Sequence, residues 1–135
     1  MSRPLRRKPV AKIPWGRTVV AGKPGFSTID RGLRDLIRSR AGGACECCGD
    51  RLSAIFQAHH RKLRSRGGQD SACNLAALCG LCHRRIHSHV AWATENGFIV
   101  SAYDDPAAIP MAARCERWVL LTVDGGYKDT SAVAS

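Results

Sequence analysis

The sequence predicts a small α+β domain in which an N-terminal helix, a short strand, a second helix and short C-terminal strands gather around a metal staple. Three observations predict it. Ile29, Leu33, Leu36 and Ile37 fall at helical spacing, whereas "RLSAIFQAHH", "FIVSA" and "RWVLL" are short runs with β-branched and aromatic residues. Two Cys-x-x-Cys pairs, Cys45 with Cys48 and Cys79 with Cys82, enclose the first of those runs. At 135 residues with 6% aromatics, the chain suits one modest core of the kind that needs a staple.

In chain order, residues 1 to 26 mix Pro, Gly and basic side chains without periodicity and are expected to form a flexible arm. Residues 27 to 100 form the core, and 101 to 135 an extension with a strand and a short tail that packs under the helix or docks a partner. Ser27 and Asp30 resemble a capping box ahead of the first helix, and Gly42 with Gly43 stops it. Arg31, Arg34 and Arg38 fall on its polar face, open to water or to phosphate. A strand then runs through Ile55 and Phe56 into His59 and His60, and Gly67 with Gly68 closes the segment. Along "HRRIHSHVAWATENG", His83, His87, Val90 and Thr94 share one stripe, so one continuous helix is expected up to Asn96 and Gly97. "FIVSA" and "RWVLLTVDGG" read as two further strands, the second entering an Asp-Gly-Gly turn.

The formal charge is +10, with seven Lys or Arg and no acid in residues 1 to 29, and six against one in residues 59 to 94. Sixteen Arg against five Lys favours forked contacts to phosphate oxygens, so a polyanionic partner is expected over a basic surface kept only for solubility. No apolar stretch approaches the roughly 18 residues of a membrane span, and the N-terminus has no continuous apolar region of a secretory signal. A cytoplasmic location without membrane partners is expected; Pro4, Pro9 and Pro14 interrupt the amphipathic helix that an organellar transit peptide would need.

A reducing compartment disfavours disulfides, so the paired cysteines read as metal thiolates. Cys45, Cys48, Cys79 and Cys82 suit one tetrahedral Zn2+, and because four ligands close its shell the ion is expected to be structural. Such binding contributes on the order of 10 to 16 kcal/mol in small modules, comparable with a domain's net stability of about 5 to 15 kcal/mol. Gly49 and Gly80 are expected to admit the tight knuckle turns. Cys47 is an alternative ligand; Cys73 and Cys115 have no partner at knuckle spacing. His83 and His87, four apart on a helix, present their imidazoles on one face, where they can hold an ion or simply be polar surface.

The ordered set "CECCG", "AHHRKLRSRGG", Asn74 and "LCGLCHRRIH" resembles the HNH endonucleases, the zinc-knuckle branch of the His-Me finger nucleases, and especially small phage-encoded members. The match runs over residues 28 to 100. The resemblance implies a ββα-metal core, in which a β-hairpin and a helix enclose one catalytic divalent ion, and DNA as substrate. It implies His59 as a metal ligand where relatives often have Asp, His60 as the general base, Asn74 as the motif's asparagine and His83 as its last metal ligand. Colicin-type members add a second helix histidine, which matches His87. Asn74 is expected to tie the loop by hydrogen bonds that orient His60, with ligation of the ion as a secondary role. An imidazole at 59 shifts preference away from hard Mg2+, leaving Mg2+, Mn2+, Ni2+, Co2+ and Zn2+ all open.

Phosphodiester hydrolysis needs a proton acceptor for water and compensation for charge on the phosphorane and leaving oxygen. A neutral histidine and one cation meet those needs. Neighbouring residues on a regular strand point to opposite faces, so His59 and His60 can serve one phosphate only from a strand end or a distortion. Arg61, Lys62, Arg64, Arg66, Arg84 and Arg85 bracket the site and are expected to hold successive phosphates without reading bases. A non-catalytic zinc-knuckle module that only grips nucleic acid would share the cysteines and the basic arm; His59, His60, Asn74 and His83 separate the two. Small phage relatives commonly occur with the large terminase subunit, which suggests a part in genome packaging in a bacterial host cell; restriction and homing use the same catalytic parts.

Overall fold

The computed structural model describes residues 29–130. The expected basic arm, and Ser27 of the expected capping box, lie outside them. Helix α1 spans Arg31–Arg40. Asp30 is itself its N-cap, the carboxylate accepting from the Leu33 N–H at 3.2 Å, so it does not sit inside the helix as a capping box would require. α1 buries Ile37, and two of the three arginines on its polar face turn out to be structural, whereas Arg31 is exposed. Arg34 donates to the Phe56 carbonyl and lies over the Phe56 ring, and Arg38 donates to the Ser53 carbonyl.

Strands β1 (Gln57–His60) and β2 (Leu75–Leu78) pair antiparallel, with His59 opposite Ala76 and His60 opposite Leu75. All four residues of β2 are buried. The hairpin that the resemblance implies is present, but its second strand has no mark in the residues themselves, because Leu-Ala-Ala-Leu has no β-branched side chain. Tertiary contacts override that propensity. Glu46 donates its N–H to the Ala77 carbonyl at 2.8 Å, and its carboxylate accepts from the Ala77 N–H at 2.7 Å, covering the outer edge of β2. The loop joining the strands carries a 3-10 turn at Arg64–Arg66. It folds so tightly that a Cβ on Gly68 would stand 1.7 Å from the Lys62 carbonyl oxygen.

The single helix expected over residues 83 to 94 is two: α2 (Gly80–Ser88) and α3 (Val90–Glu95), broken at His89, whose φ of −125° and ψ of 59° leave the helical region. At the break, Ser88 Oγ donates to the Arg85 carbonyl, a local bond that competes with helix continuation. "FIVSA" is not a strand. Phe98, Ile99 and Val100 are buried irregular backbone, with Phe98 stacked on Trp92 and the Val100 N–H bonded to the Arg61 carbonyl. After a 3-10 turn at Pro106–Ala108, strands β3 (Met111–Ala113), β4 (Arg117–Leu121) and β5 (Tyr127–Asp129) form an antiparallel sheet in that order. The Asp-Gly-Gly turn lies where expected, between β4 and β5. Met111, Val119 and Leu121 belong to the same hydrophobic cluster as Ile37, Leu75 and Ile86, so the segment beyond residue 100 completes the core.

Candidate active site

The sulfurs of Cys45, Cys48, Cys79 and Cys82 lie within 4.8 Å of one another. Two knuckles bring them there. Cys45 and Cys48 lie on a turn that Gly49, at φ +81°, follows directly, and Cys79 is the N-cap of α2 with Cys82 in its first turn. Gly80 has no positive φ, and a Cβ there would meet nothing, so only one of the two expected knuckle glycines is conformationally required. Backbone N–H groups of Cys47 and Cys79 approach Cys45 Sγ at 3.4 and 3.3 Å, and that of Asp50 approaches Cys48 Sγ at 3.5 Å, positions that favour thiolate. The thiols nevertheless compete for protons. Cys45 is held low by its bond from Cys48, while Cys48 and Cys82 are pushed up chiefly by their bonds to Cys45. A divalent cation of soft-ligand preference relieves that competition, and the set fits structural zinc. Cys47 stands outside it; its thiol meets that of Cys115, which pushes its pKa up.

A second cluster lies where β1 meets α2. His59 from β1 and His83 and His87 from α2 offer ligand atoms within 4.8 Å of one another, their rings 5.0 to 5.4 Å apart between centroids. His59 Nε2 lies 2.6 Å from the Phe98 carbonyl oxygen. A carbonyl only accepts, so Nε2 carries the proton and Nδ1 keeps its lone pair, the arrangement that fixes a ligating histidine. Burial lowers His59 to about 3 and His83 to about 4, in both cases with help from His87. These two imidazoles are therefore neutral near pH 7, the form that binds metal. Three nitrogen donors suit an intermediate first-row ion better than Mg2+.

His60 is the last paired residue of β1, the strand end that the expected role of base requires. Its ring faces the loop, where Nε2 lies 2.7 Å from Asp70 Oδ1. Arg64 Nη2 reaches both Asp70 oxygens at 3.1 Å, and Arg64 Nε lies 3.3 Å from His60 Nε2. The Asp70 carboxyl is held below its ordinary range, first by the bond from His60 and then by Arg64. Asn74 is buried and fully engaged: Oδ1 accepts from the Lys62 N–H, and Nδ2 donates to the carbonyls of Lys62 and Gln69. These bonds tie the loop between β1 and β2.

Arg61 corrects an expectation. It is wholly buried, and its guanidinium donates to the carbonyls of Gly97, Cys73, Pro106 and Ile109, so it is not available to phosphate. Of the other cations, Lys62 Nζ donates to the Asp104 carbonyl at 3.2 Å, Arg64 pairs with Asp70, and Arg66, Arg84 and Arg85 are exposed. Sequence reasoning missed Asp70, although it is the lone acid among six cations in residues 59 to 94. It missed Arg40 and Glu46 as well, a buried ion pair at 2.6 Å that joins α1, β2 and, through Tyr127, β5. Among the described residues no helix is long and apolar enough to cross a membrane.

Residues 45–89 match the family model described as HNH endonuclease. That span holds all four thiolates, all three clustered imidazoles, His60, Asp70 and Asn74. No curated protein matches the chain.

Proposed function

We propose that this chain, whose residues 45–89 match the family model described as HNH endonuclease, is a metal-dependent endonuclease that hydrolyses phosphodiester bonds in DNA. The observation that carries the reading is the convergence of His59, His83 and His87 at the end of the strand that also presents His60. A zinc-knuckle module that merely gripped nucleic acid would have no use for three imidazoles within ligand reach of one another, one of them buried with its ring fixed by the Phe98 carbonyl. A divalent ion bound there supplies charge compensation for the phosphorane and the leaving oxygen. His60 accepts the proton of the attacking water through Nδ1, the nitrogen left basic by its contact to Asp70. Lys62, Arg64, Arg66, Arg84 and Arg85 hold the phosphate backbone, and the structural zinc keeps the start of α2, and with it His83 and His87, in register.

A supercoiled-plasmid assay across Mg2+, Mn2+, Ni2+, Co2+ and Zn2+ tests the reading. Wild type is expected to nick or linearise the plasmid, and His60→Ala to lose about 100- to 10,000-fold in rate with DNA affinity largely kept. Undiminished cleavage by His60→Ala would remove the base, and no cleavage with any ion would leave a DNA-gripping module. Association with a phage terminase large subunit is proposed on the resemblance alone; co-purification of the two from infected bacterial cells tests it.

A further inference from the structure

We propose that Asp70 is the positioning residue for His60 and the resting partner of Arg64, so that a phosphate entering the site takes Arg64 over from Asp70. The inference rests on the nuclease reading above. It starts from one carboxylate serving two neighbours: Asp70 Oδ1 lies 2.7 Å from His60 Nε2, and both its oxygens lie 3.1 Å from Arg64 Nη2.

The hydrogen bonding is asymmetric. An ionised carboxylate only accepts, so its contact to Nε2 requires a proton on that nitrogen. Arg64 Nε, a donor, approaches the same nitrogen at 3.3 Å and makes the opposite demand. The shorter, charge-assisted contact prevails. His60 thus carries its proton on Nε2, with Nδ1 as the basic atom and the ring held against rotation.

Stability does not explain the arrangement. The Asp70 and Arg64 side chains are 39% and 52% exposed, and ion pairs so exposed add little to folding. The charge also works against substrate, because Asp70 sets a negative group among the cations that would receive phosphate. It also engages Arg64, one of those cations. Asp70 therefore weakens DNA binding while holding the base in its working orientation. Its removal must move those two properties in opposite directions, which loss of a merely structural residue would not do.

The test compares kcat, KM and DNA affinity of the zinc-loaded full chain as wild type, Asp70→Ala and Asp70→Asn, with 15N spectra of the His60 ring. Asp70→Ala is expected to lower kcat about 10- to 100-fold, the scale of a misoriented catalytic group, and to tighten DNA binding severalfold. Asp70→Asn keeps an oxygen that accepts from Nε2–H and is expected to regain part of kcat while keeping the tighter binding. In wild type, the His60 Nε2 signal should be of the protonated type and Nδ1 of the lone-pair type, with the two forms mixing in Asp70→Ala. An active wild type in which Asp70→Ala leaves kcat unchanged, or lowers kcat and affinity together, overturns this inference alone. So does a wild-type His60 with its proton on Nδ1. A wild type that cleaves with no ion overturns the nuclease reading, and this inference falls with it.

Discussion

Arg61→Lys separates a structural cation from a DNA contact at one position. The guanidinium of Arg61 spreads its donors over four carbonyls, of Gly97, Cys73, Pro106 and Ile109, from three different nitrogens. Lysine has one nitrogen with three N–H bonds, so at least one carbonyl, and by geometry two, lose their partner. A buried acceptor left unpaired costs about 1–3 kcal/mol, which places the loss of two at roughly 2–6 kcal/mol against a net stability of about 5–15 kcal/mol. Burial already opposes the charge at this site, lowering the Arg61 pKa to about 10, and lysine, which gives up its proton more readily, would be neutralised there sooner. In a domain of this size about 1 kcal/mol moves Tm by roughly 4 °C or more, so a drop on the order of 10 °C is expected by calorimetry of the zinc-loaded protein. The salt dependence of DNA binding, measured below the new Tm, should be unchanged. A phosphate contact would behave in the reverse way, with Tm held and the slope of log affinity against log salt smaller by about 0.9 when the charge is removed as Arg61→Met. That second pattern would refute the assignment of Arg61 to the core.

Two more substitutions or conditions follow from the same geometry. Asn74→Asp keeps the acceptor for the Lys62 N–H but turns a carboxylate toward the carbonyls of Lys62 and Gln69, which now receive from Nδ2; a loss of about 2–4 kcal/mol in urea unfolding is expected, with faster proteolysis of the loop. With the zinc retained and the imidazole cluster kept metal-free, stability should fall on acidification from pH 7 to 5. His59 and His83 lie near 3 and 4 when folded and near 6.5 when unfolded. The unfolded chain therefore binds more protons in that window, and the stability present above about 6.5 is lost as pH falls. The limiting slope is about 1.4 kcal/mol per pH unit for His59, less for the partly exposed His83. Urea midpoints independent of pH over that range would show that the two imidazoles are not buried neutral.

The parts of the site legible in the sequence were those whose chemistry fixes their spacing. Two Cys-x-x-Cys knuckles, and histidines one helical turn apart at 83 and 87, are recognisable without knowing the path between them. Other parts depended on where the chain returns. Asp70 meets His60 only because the loop doubles back, and the Phe98 carbonyl reaches His59 from a segment that reads as a strand and is irregular. β2 was implied by the resemblance but not legible in its own residues, its four residues being a strand through what covers them and not through their own preference. Counting arginines misled more than it helped. The fork that suits phosphate suits carbonyl oxygens equally well, and Arg34, Arg38, Arg40, Arg61 and Arg114 all spend donors on the protein's own backbone. The charge available to a polyanion is correspondingly smaller than the net charge suggests.

The two clusters are mechanically one device. Helix α2 begins at the knuckle, with Cys79 as its cap and Cys82 in its first turn, and the next residue, His83, belongs to the other cluster. His87 follows one turn later, and His59 sits on β1, whose register is set by β2, the strand that runs directly into Cys79. The sulfurs therefore fix the origin from which both helix imidazoles project. The carbonyl of Phe98, buried against Trp92 from α3, fixes the third from the opposite side. A small core with few aromatics could not hold three imidazoles within coordination reach by apolar packing alone. The neutral forms of His59 and His83 follow chiefly from burial, and the knuckle holds the start of α2 from which His83 projects, so the geometry of one cluster is inherited from the closure of the other.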